Sequence, residues 1–191
     1  ILIGAFESKY LEIPQECLIL TMKSNQKYFP IVDHENKLTN QFIIVSNLTP
    51  PNPKIIIEGN EKVIRPRLAD AEFFFKQDKK NTLLEMSHKL DKIIYHNKLG
   101  SQSDRAKRVS KIHQKIYKEL SIGDFKDFER IALLAKADLV SLMVGEFPEL
   151  QGTMGRYYAL NSNESISIAD AIEDHYKPKF SGDSLPRSPL G

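Results

Sequence analysis

The sequence has one cysteine, no tryptophan and no apolar run near the roughly 20 residues that a membrane-spanning helix needs. The single cysteine, Cys17, excludes an internal disulfide framework and a cysteine-based zinc site. Scarce cysteine is also typical of proteins in a reducing compartment. The first residues lack the basic, apolar and small-residue pattern of a secretory leader. Together these absences predict a soluble, cytoplasmic protein.

Several catalytic signatures are absent too. The sequence has no glycine-rich phosphate loop, no convincing Ser-His-Asp arrangement and no His-x-x-x-His spacing. His88 and His96 lie eight positions apart on a predicted helix, which is two turns and too far to share one ion. The sequence therefore predicts no metal site and no catalytic residue.

The two ends of the chain suggest a fragment of a longer protein. It begins at Ile1 without a methionine, and it ends at Ser188-Pro-Leu-Gly191 in a predicted loop. We therefore expect an internal fragment of a longer protein, whose active site could lie elsewhere in that protein.

Charge is distributed unevenly along the chain. Residues 1–60 carry a net charge of −1, residues 61–118 carry +8, and residues 119–191 carry −5. A basic middle between neutral and acidic flanks predicts an electropositive surface, which is typical of a polyanion partner.

The first part of the chain mixes strand and helix signals. Tyr10 to Ile13 is predicted to be extended, and Pro14 is predicted to open a short helix with one apolar face. Residues 27–32 and 42–45 are predicted to form a hairpin, since both are rich in β-branched and aromatic residues. Three prolines then predict a break in regular structure. The helix face comprises Cys17, Leu18, Thr21 and Met22, and the prolines are Pro50, Pro51 and Pro53.

From Pro66 onward the pattern predicts helices. A second helix is expected through Leu83 and Ile93, capped by Asn81 and stopped by Gly100. A third follows a Ser101–Asp104 capping box and ends at Gly123, and a fourth, buried helix runs from Asp124 to about Val144. Pro148 opens a fifth helix, and Ser167 with Asp170 opens a sixth that stops before Pro178. Residues 180–191 are predicted to be loop.

Cationic residues are the candidate binding groups. Lys62, Arg65 and Arg67 flank the predicted helix start at Pro66, where backbone N–H groups also favour an anion. For these three, a contact with phosphates and an ordinary solvated face are equally well supported. For the cations of the third helix, the solvated face is the favoured interpretation. The candidate RNA-binding residues are Lys62, Arg65, Arg67, Arg105, Arg108, Lys111 and Arg156.

Asp138 is a carboxylate in an otherwise apolar helical run. Burial there requires a partner, and Lys136, Arg130 and Arg156 are the candidates for a structural ion pair. Nearby glycines predict close approach between backbone segments. These glycines are Gly145, Gly152 and Gly155.

Four long motifs resemble the bacterial glycyl-tRNA synthetase beta subunit. The first two are Met22-Lys-Ser-Asn-Gln-Lys-Tyr-Phe-Pro30 and Gly59-Asn-Glu-Lys-Val-Ile-Arg-Pro-Arg-Leu-Ala-Asp-Ala-Glu-Phe-Phe-Phe75. The others are Met143-Val-Gly-Glu-Phe-Pro-Glu-Leu-Gln-Gly-Thr-Met-Gly-Arg-Tyr-Tyr158 and Tyr176-Lys-Pro-Lys-Phe-Ser-Gly-Asp-Ser-Leu-Pro186. The motifs occur in the family's order and cover nearly the whole chain.

The resemblance implies a fold. It implies a predominantly α chain, with an α+β part left from an editing-like domain followed by an all-α HD-type helical domain. The expected limits are 1–60 for the partial editing-like domain, 61–100 for connecting helices and 101–191 for the truncated HD-like domain. Where an HD hydrolase carries its His-Asp doublet, this chain has Ala137-Asp138. The missing histidine implies a hydrolase fold without hydrolase chemistry.

The resemblance also implies a function. In the family, two alpha and two beta subunits form the glycine–tRNA ligase, and the alpha subunit carries the aminoacylation site with ATP and Mg. This chain is expected to be a non-catalytic, tRNA-binding part of the beta subunit, with glycine tRNA, the alpha subunit and a second beta subunit as partners. We expect no cofactor in the fragment itself. Two alternatives stay open: a degenerate HD-type metal phosphohydrolase, and a purely structural module that docks the alpha subunit.

Overall fold

The computed structural model describes residues 1–48, 51–120 and 125–191, apart from the side chains of Asn25 and Phe125. The chain divides into two compact units, residues 1–76 and residues 77–191. The limits expected from sequence were residues 60 and 100. Helices predominate and the sheets are small. No described helix combines the length and apolar character that crossing a bilayer requires.

The first unit pairs a three-stranded antiparallel sheet, in the order β1-β3-β2, with two helices. The predicted short helix and hairpin are confirmed. The segment predicted to be extended at Tyr10 is instead part of a 3₁₀ helix, Ser8–Glu12. The elements are β1 (Leu2–Ala5), α1 (Gln15–Gln26), β2 (Phe29–Val32), β3 (Leu38–Ile44) and α2 (Pro53–Asp78), whose last two residues belong to the second unit.

The core of the first unit forms where α1 and α2 bury apolar side chains. The predicted face of α1 is fully buried, which confirms that prediction. Ile64 and Leu68 of α2 are fully buried as well. Tyr28 stacks at 4.7 Å on Phe42 of β3 and donates its hydroxyl to Asn60 of α2 over 2.6 Å. Helix α2 is thereby fixed against the sheet.

The prediction that helical structure starts at Pro66 is wrong. The helix begins at Pro53, a position where proline is tolerated because first-turn N–H groups have no intrahelical partner. Pro66 lies inside the helix, where its ring removes one N–H donor. The predicted break in regular structure is therefore wrong at Pro53. Pro50 lies outside the described residues.

Among its described residues, the second unit is helical apart from a two-stranded ribbon, which interrupts the stretch predicted as connecting helices, residues 61–100. The described part of the stretch predicted to be all-α, residues 101–191, has only helices after Ser101. The ribbon pairs Ile94 with Ser101. The elements are α3 (Leu83–Ser87), β4 (Ile94–His96), β5 (Gly100–Ser101), α4 (Gln102–Leu120), α5 (Phe125–Leu134), α6 (Leu142–Glu146), α7 (Thr153–Asn161) and α8 (Ile166–Asp174).

The helix predicted to extend from Leu83 to Ile93 is wrong in length and cap. Thr82, not Asn81, caps α3 and forms a capping box with Glu85. Helix α3 ends at Ser87 and a 3₁₀ turn leads into the ribbon.

The Ser101–Asp104 capping box of α4 is confirmed, since Ser101 Oγ accepts from the Asp104 N–H and Asp104 Oδ2 accepts from the Ser101 N–H. The predicted stop at Gly123 and start at Asp124 lie outside the described residues. The long buried helix predicted up to Val144 is interrupted. Helix α5 ends at Leu134, a 3₁₀ turn spans Ala137–Val140, and Ser141 caps α6.

The last two helices also begin away from the predicted residues. Pro148 opens only a 3₁₀ turn, and α7 begins after Gly152, whose φ of +82° favours glycine. Ser165 rather than Ser167 caps α8, which ends before Pro178 as predicted. Close approach is confirmed at Gly152 and Gly155 but not at Gly145, where an added Cβ would meet nothing within 4 Å.

Candidate nucleic-acid interface

The predicted cations of α2 lie in the middle of the helix. Lys62, Arg65 and Arg67 are exposed. Because α2 begins at Pro53, the unpaired N–H groups of its first turn lie no later than Ile56, at least six residues before these cations. The argument that a helix N-terminus assists these cations is therefore wrong.

The three α2 cations differ in their surroundings. Arg65 Nε lies 2.9 Å from Glu7 Oε1, so its charge is partly compensated. Within the described residues, Lys62 and Arg67 have no carboxylate within 4.0 Å. At about 100° per residue, Arg67 lies about 140° around the helix from Lys62. The three residues do not share one face.

Helix α4 carries the larger basic surface. It has six basic and two acidic residues, and none of its side chains is fully buried. Five exposed cations fall within about 100° of arc at 3.6 residues per turn. We call these five the α4 basic face: Lys107, Arg108, Lys111, Lys115 and Lys118.

Contacts at the start of the α4 basic face fix two of its members. Lys107 Nζ lies 3.8 Å from Asp104 Oδ1, a long and exposed ion pair that compensates little charge. Arg108 donates from an η nitrogen to the Leu99 carbonyl oxygen over 2.9 Å. Within the described part of the chain, Lys111, Lys115 and Lys118 have no carboxylate within 4.0 Å. Most of the charge on this face thus points to solvent.

Arg105, another predicted residue, lies away from the α4 basic face. Its guanidinium carbon lies 4.9 Å from the ring centre of Tyr95 in the β4–β5 ribbon. It also lines a pocket between α4 and α5. Arg105 therefore belongs to different surroundings from Arg108 and Lys111.

Arg156 is held within an ion-pair network of α7 and α8. Its Nε lies 2.7 Å from Asp170 Oδ1 and 3.8 Å from Glu173 Oε2. Arg187 reaches the same two carboxylates and also Asp174. Burial would raise the pKa of Asp174, but hydrogen bonds from Arg187 and Lys177 outweigh it and hold that pKa well below its usual range. The network compensates the positive charge of Arg156.

Asp138 joins the turn after α5 to the start of α7. Its Oδ2 accepts hydrogen bonds from the N–H groups of Gly152 at 2.7 Å and Gly155 at 3.1 Å. Complete burial nevertheless raises its pKa to about 6. The carboxylate thus has a structural role, but the expected ion pair is wrong. Arg130 pairs with Glu164, Arg156 pairs with Asp170, and Lys136 acts on Asp138 only by charge beyond contact distance.

Comparison with known proteins decides the family. The family model for the glycyl-tRNA synthetase beta subunit matches residues 1–191. The chain belongs to the glycyl-tRNA synthetase beta subunit family. It is 59% identical over its whole length to the glycine–tRNA ligase beta subunit of Janthinobacterium sp. (strain Marseille), and 57% identical to that of Delftia acidovorans. It spans 27% of the length of these curated relatives.

In this member of the glycyl-tRNA synthetase beta subunit family, Asp78 organises a buried polar cluster that the sequence analysis missed. Its two oxygens accept from the N–H groups of Leu142 at 2.8 Å and Met143 at 3.0 Å, at the first turn of α6. Oδ2 also accepts from the Tyr158 hydroxyl at 2.7 Å. These partners lie 64 to 80 positions away in sequence, so no local pattern could have indicated them.

The family resemblance also placed Ala137-Asp138 where HD hydrolases carry a metal-binding doublet. Both residues are fully buried, and Asp138 is engaged by backbone donors. Among the residues that the structure describes, no group of three His, Cys, Asp or Glu side chains is placed to hold one metal ion.

Proposed function

We propose that this chain is a non-catalytic part of the beta subunit of a glycine–tRNA ligase, which supports tRNA binding and subunit assembly during ATP-dependent glycylation of tRNA. The family match over all 191 residues carries the proposal, together with identities of 55–59% to proteins named as glycine–tRNA ligase beta subunits. Glycine tRNA and the alpha subunit are the proposed partners, in a tetramer of two alpha and two beta subunits in the cytoplasm.

The α4 basic face is the part of the chain that we assign to tRNA. Five exposed cations on one helix side can neutralise several backbone phosphates and release their counterions. Such contacts position an RNA without reading its bases. Lys62 and Arg67 of α2 stay candidates for further phosphate contacts. Arg105 and Arg156 are weaker candidates, since a tyrosine ring and two carboxylates already engage them.

The chemistry of the reaction is assigned to the alpha subunit. Glycine, ATP and Mg would act there, and this segment of the beta subunit would need no cofactor of its own. An editing-like origin of the first unit and an HD-type origin of the second are part of the same proposal. The buried position of Asp138 fits an HD-derived segment that has kept a carboxylate for structural use.

Aminoacylation kinetics of the alpha–beta holoenzyme test the proposal. The double variant Lys111→Glu with Lys115→Glu reverses two charges on the α4 basic face, and we expect it to raise the KM for glycine tRNA roughly tenfold or more. Glycine-dependent exchange between ATP and pyrophosphate should stay unchanged, because it does not need tRNA. The control, Lys23→Glu with Lys54→Glu, reverses two exposed charges in the first unit.

If the chain is instead a purely structural module that docks the alpha subunit, the same experiment gives a different result. A variant that keeps its KM for tRNA but loses co-purification of the alpha subunit would identify the α4 basic face as a subunit contact. A variant that behaves like wild type in both measurements would contradict any role for this face in the enzyme.

A further inference from the structure

A pocket in the second unit is unused by the proposed function. It lies between α4, α5 and the residues that follow α8, with a volume of about 210 Å³. Its apolar wall includes Val109 of α4 and Ile131 of α5. Its polar wall includes Arg105 of α4 and Lys136, which follows α5. A third cation, Lys177, also lines the pocket but is paired with Asp174 at 2.9 Å, so the pocket combines carbon surface with two cationic groups that lack such a pair.

Three residues that line this pocket each carry a buried polar atom without a hydrogen-bond partner. The atoms are Gln102 Oε1, His113 Nδ1 and His175 Nε2. In the described part of the chain only one other buried side-chain polar atom, Asp138 Oδ1, lacks a partner. Buried polar groups in folded proteins are nearly always hydrogen-bonded. Three exceptions on residues around one pocket therefore favour a polar ligand there.

His175, one of the two histidines that line the pocket, is an acceptor at Nε2. His175 Nδ1 lies 2.6 Å from the Ile172 carbonyl oxygen, and because a carbonyl can only accept, Nδ1 carries the proton. Burial, and after it the charge of Lys136, lowers the pKa of His175 to about 4, so the ring is neutral near pH 7. Its Nε2 lone pair is then available to a donor from a ligand.

Arg105 and Lys136, unlike Lys177, have no carboxylate partner. Among the described residues, neither Arg105 nor Lys136 has an acidic oxygen within 4.0 Å. Each lies against a tyrosine ring instead, with Lys136 Nζ 3.5 Å from the centre of the Tyr176 ring. Burial, and after it the charge of Arg105, lowers the pKa of Lys136 to about 8. An anion in the pocket would offset both the burial of Lys136 and its repulsion by Arg105, because it supplies the missing opposite charge.

We propose that this pocket binds the phosphate group of a phosphomonoester. Arg105 and Lys136 neutralise the phosphate, and His175 Nε2 accepts a hydrogen bond from a hydroxyl group of the ligand or from a protonated phosphate oxygen. The apolar wall receives the carbon part of the ester. The ligand is either a free phosphomonoester, such as a mononucleotide, or the terminal phosphate of an RNA. The proposal is independent of the α4 basic face, which uses other residues.

Titration of the full-length beta subunit with inorganic phosphate and with adenosine monophosphate tests the site. We expect saturable binding to wild type and at least tenfold weaker binding to the variant Arg105→Gln with Lys136→Gln. The matched control, Lys89→Gln with Lys98→Gln, removes two exposed charges from the same unit and should bind as wild type does. Equal binding by the pocket variant and the control would overturn the proposal.

A second measurement needs no variant. Reductive methylation of Lys136, followed by mass spectrometry, should slow when adenosine monophosphate is present, while methylation of exposed Lys98 should not. No protection of Lys136 together with no saturable binding would overturn the proposal, even if the double variant failed to fold.

Competition with RNA then separates the two sources of the phosphate. A short RNA with a 5′-phosphate that displaces adenosine monophosphate, while the same RNA with a 5′-hydroxyl does not, would support recognition of an RNA terminus. Displacement by neither RNA would support a free phosphomonoester as the ligand.

Discussion

Gly155 donates its backbone N–H to Oδ2 of Asp138 over 3.1 Å, and this contact leaves no room for a side chain at Gly155. A Cβ there would lie 2.7 Å from Cγ2 of Ile172 and 3.2 Å from the Asp138 oxygen. Asp138 thus ties the turn after α5 to the first turn of α7, and α8 closes over the same point.

Substitution of Gly155 by alanine should destabilise α7 by about 1–3 kcal/mol, because the added methyl group overpacks a closed contact. Hydrogen exchange of the α7 amides in the full-length beta subunit measures this local stability. Gly145→Ala is the control, since its Cβ would meet nothing within 4 Å and alanine favours the helix. Equal exchange rates for the two variants would contradict the close contact.

Substitution of Asp138 by asparagine should change how stability depends on pH. The folded-state pKa of about 6 lies above the usual 3.8, so the protonated form is favoured on folding. The stabilisation that protonated Asp138 gives to the folded state is therefore fully present below pH 3.8 and is lost as the pH rises through 6. As the pH rises from 4 to 7, the free energy of unfolding of Asp138→Asn should increase relative to that of wild type by about 2–3 kcal/mol. If wild type and Asp138→Asn showed parallel pH profiles of hydrogen exchange at the α7 amides, the raised pKa of Asp138 would be contradicted.

Removal of the Asp78 carboxylate should open the start of α6. Asp78→Ala leaves the N–H groups of Leu142 and Met143 and the Tyr158 hydroxyl without this acceptor, at a cost of about 2–4 kcal/mol. Tyr158→Phe removes one of these bonds and should cost about 1 kcal/mol. Exposed Asp91→Ala should stay within about 0.5 kcal/mol of wild type. Additive losses in the Asp78–Tyr158 double variant would show that the two side chains do not interact.

His175 should keep its neutral, Nδ1-protonated form down to about pH 5, because its pKa is lowered to about 4. Burial is the main cause, and the charges of Lys136, Arg105 and Lys179 add to it. The nitrogen-15 shifts of a histidine-labelled beta subunit distinguish this tautomer from the others. A ring that titrates near pH 6.5 would contradict the enclosed environment.

Local sequence patterns predicted those elements whose partners are near in sequence. The capping box of α4 needs only Ser101 and Asp104, and the face of α1 follows from helical spacing. The start of α2 was missed because clustered prolines favour a break, although Pro53 is compatible with a first helical turn.

Long-range contacts explain the other errors. The run from Ile131 to Val144 is apolar enough for one helix, but Asp78, 64 positions before Leu142, accepts a hydrogen bond from its N–H in the first turn of α6, and Asp138 binds the start of α7. Charge along the sequence indicated a basic surface without separating the residues that share it. The fold then placed Arg105 in a pocket and Arg156 in an ion-pair network, away from the α4 basic face.

The salt dependence of glycine tRNA binding tests the central claim most directly. For the holoenzyme, the logarithm of affinity should fall linearly with the logarithm of salt concentration, by roughly 0.9 for each phosphate contact. The variant Lys111→Gln with Lys115→Gln should weaken binding and reduce that slope by roughly 1.5 to 2. The control Lys23→Gln with Lys54→Gln should leave both unchanged. A wild-type affinity and slope in the α4 variant would contradict the assignment of this face to tRNA.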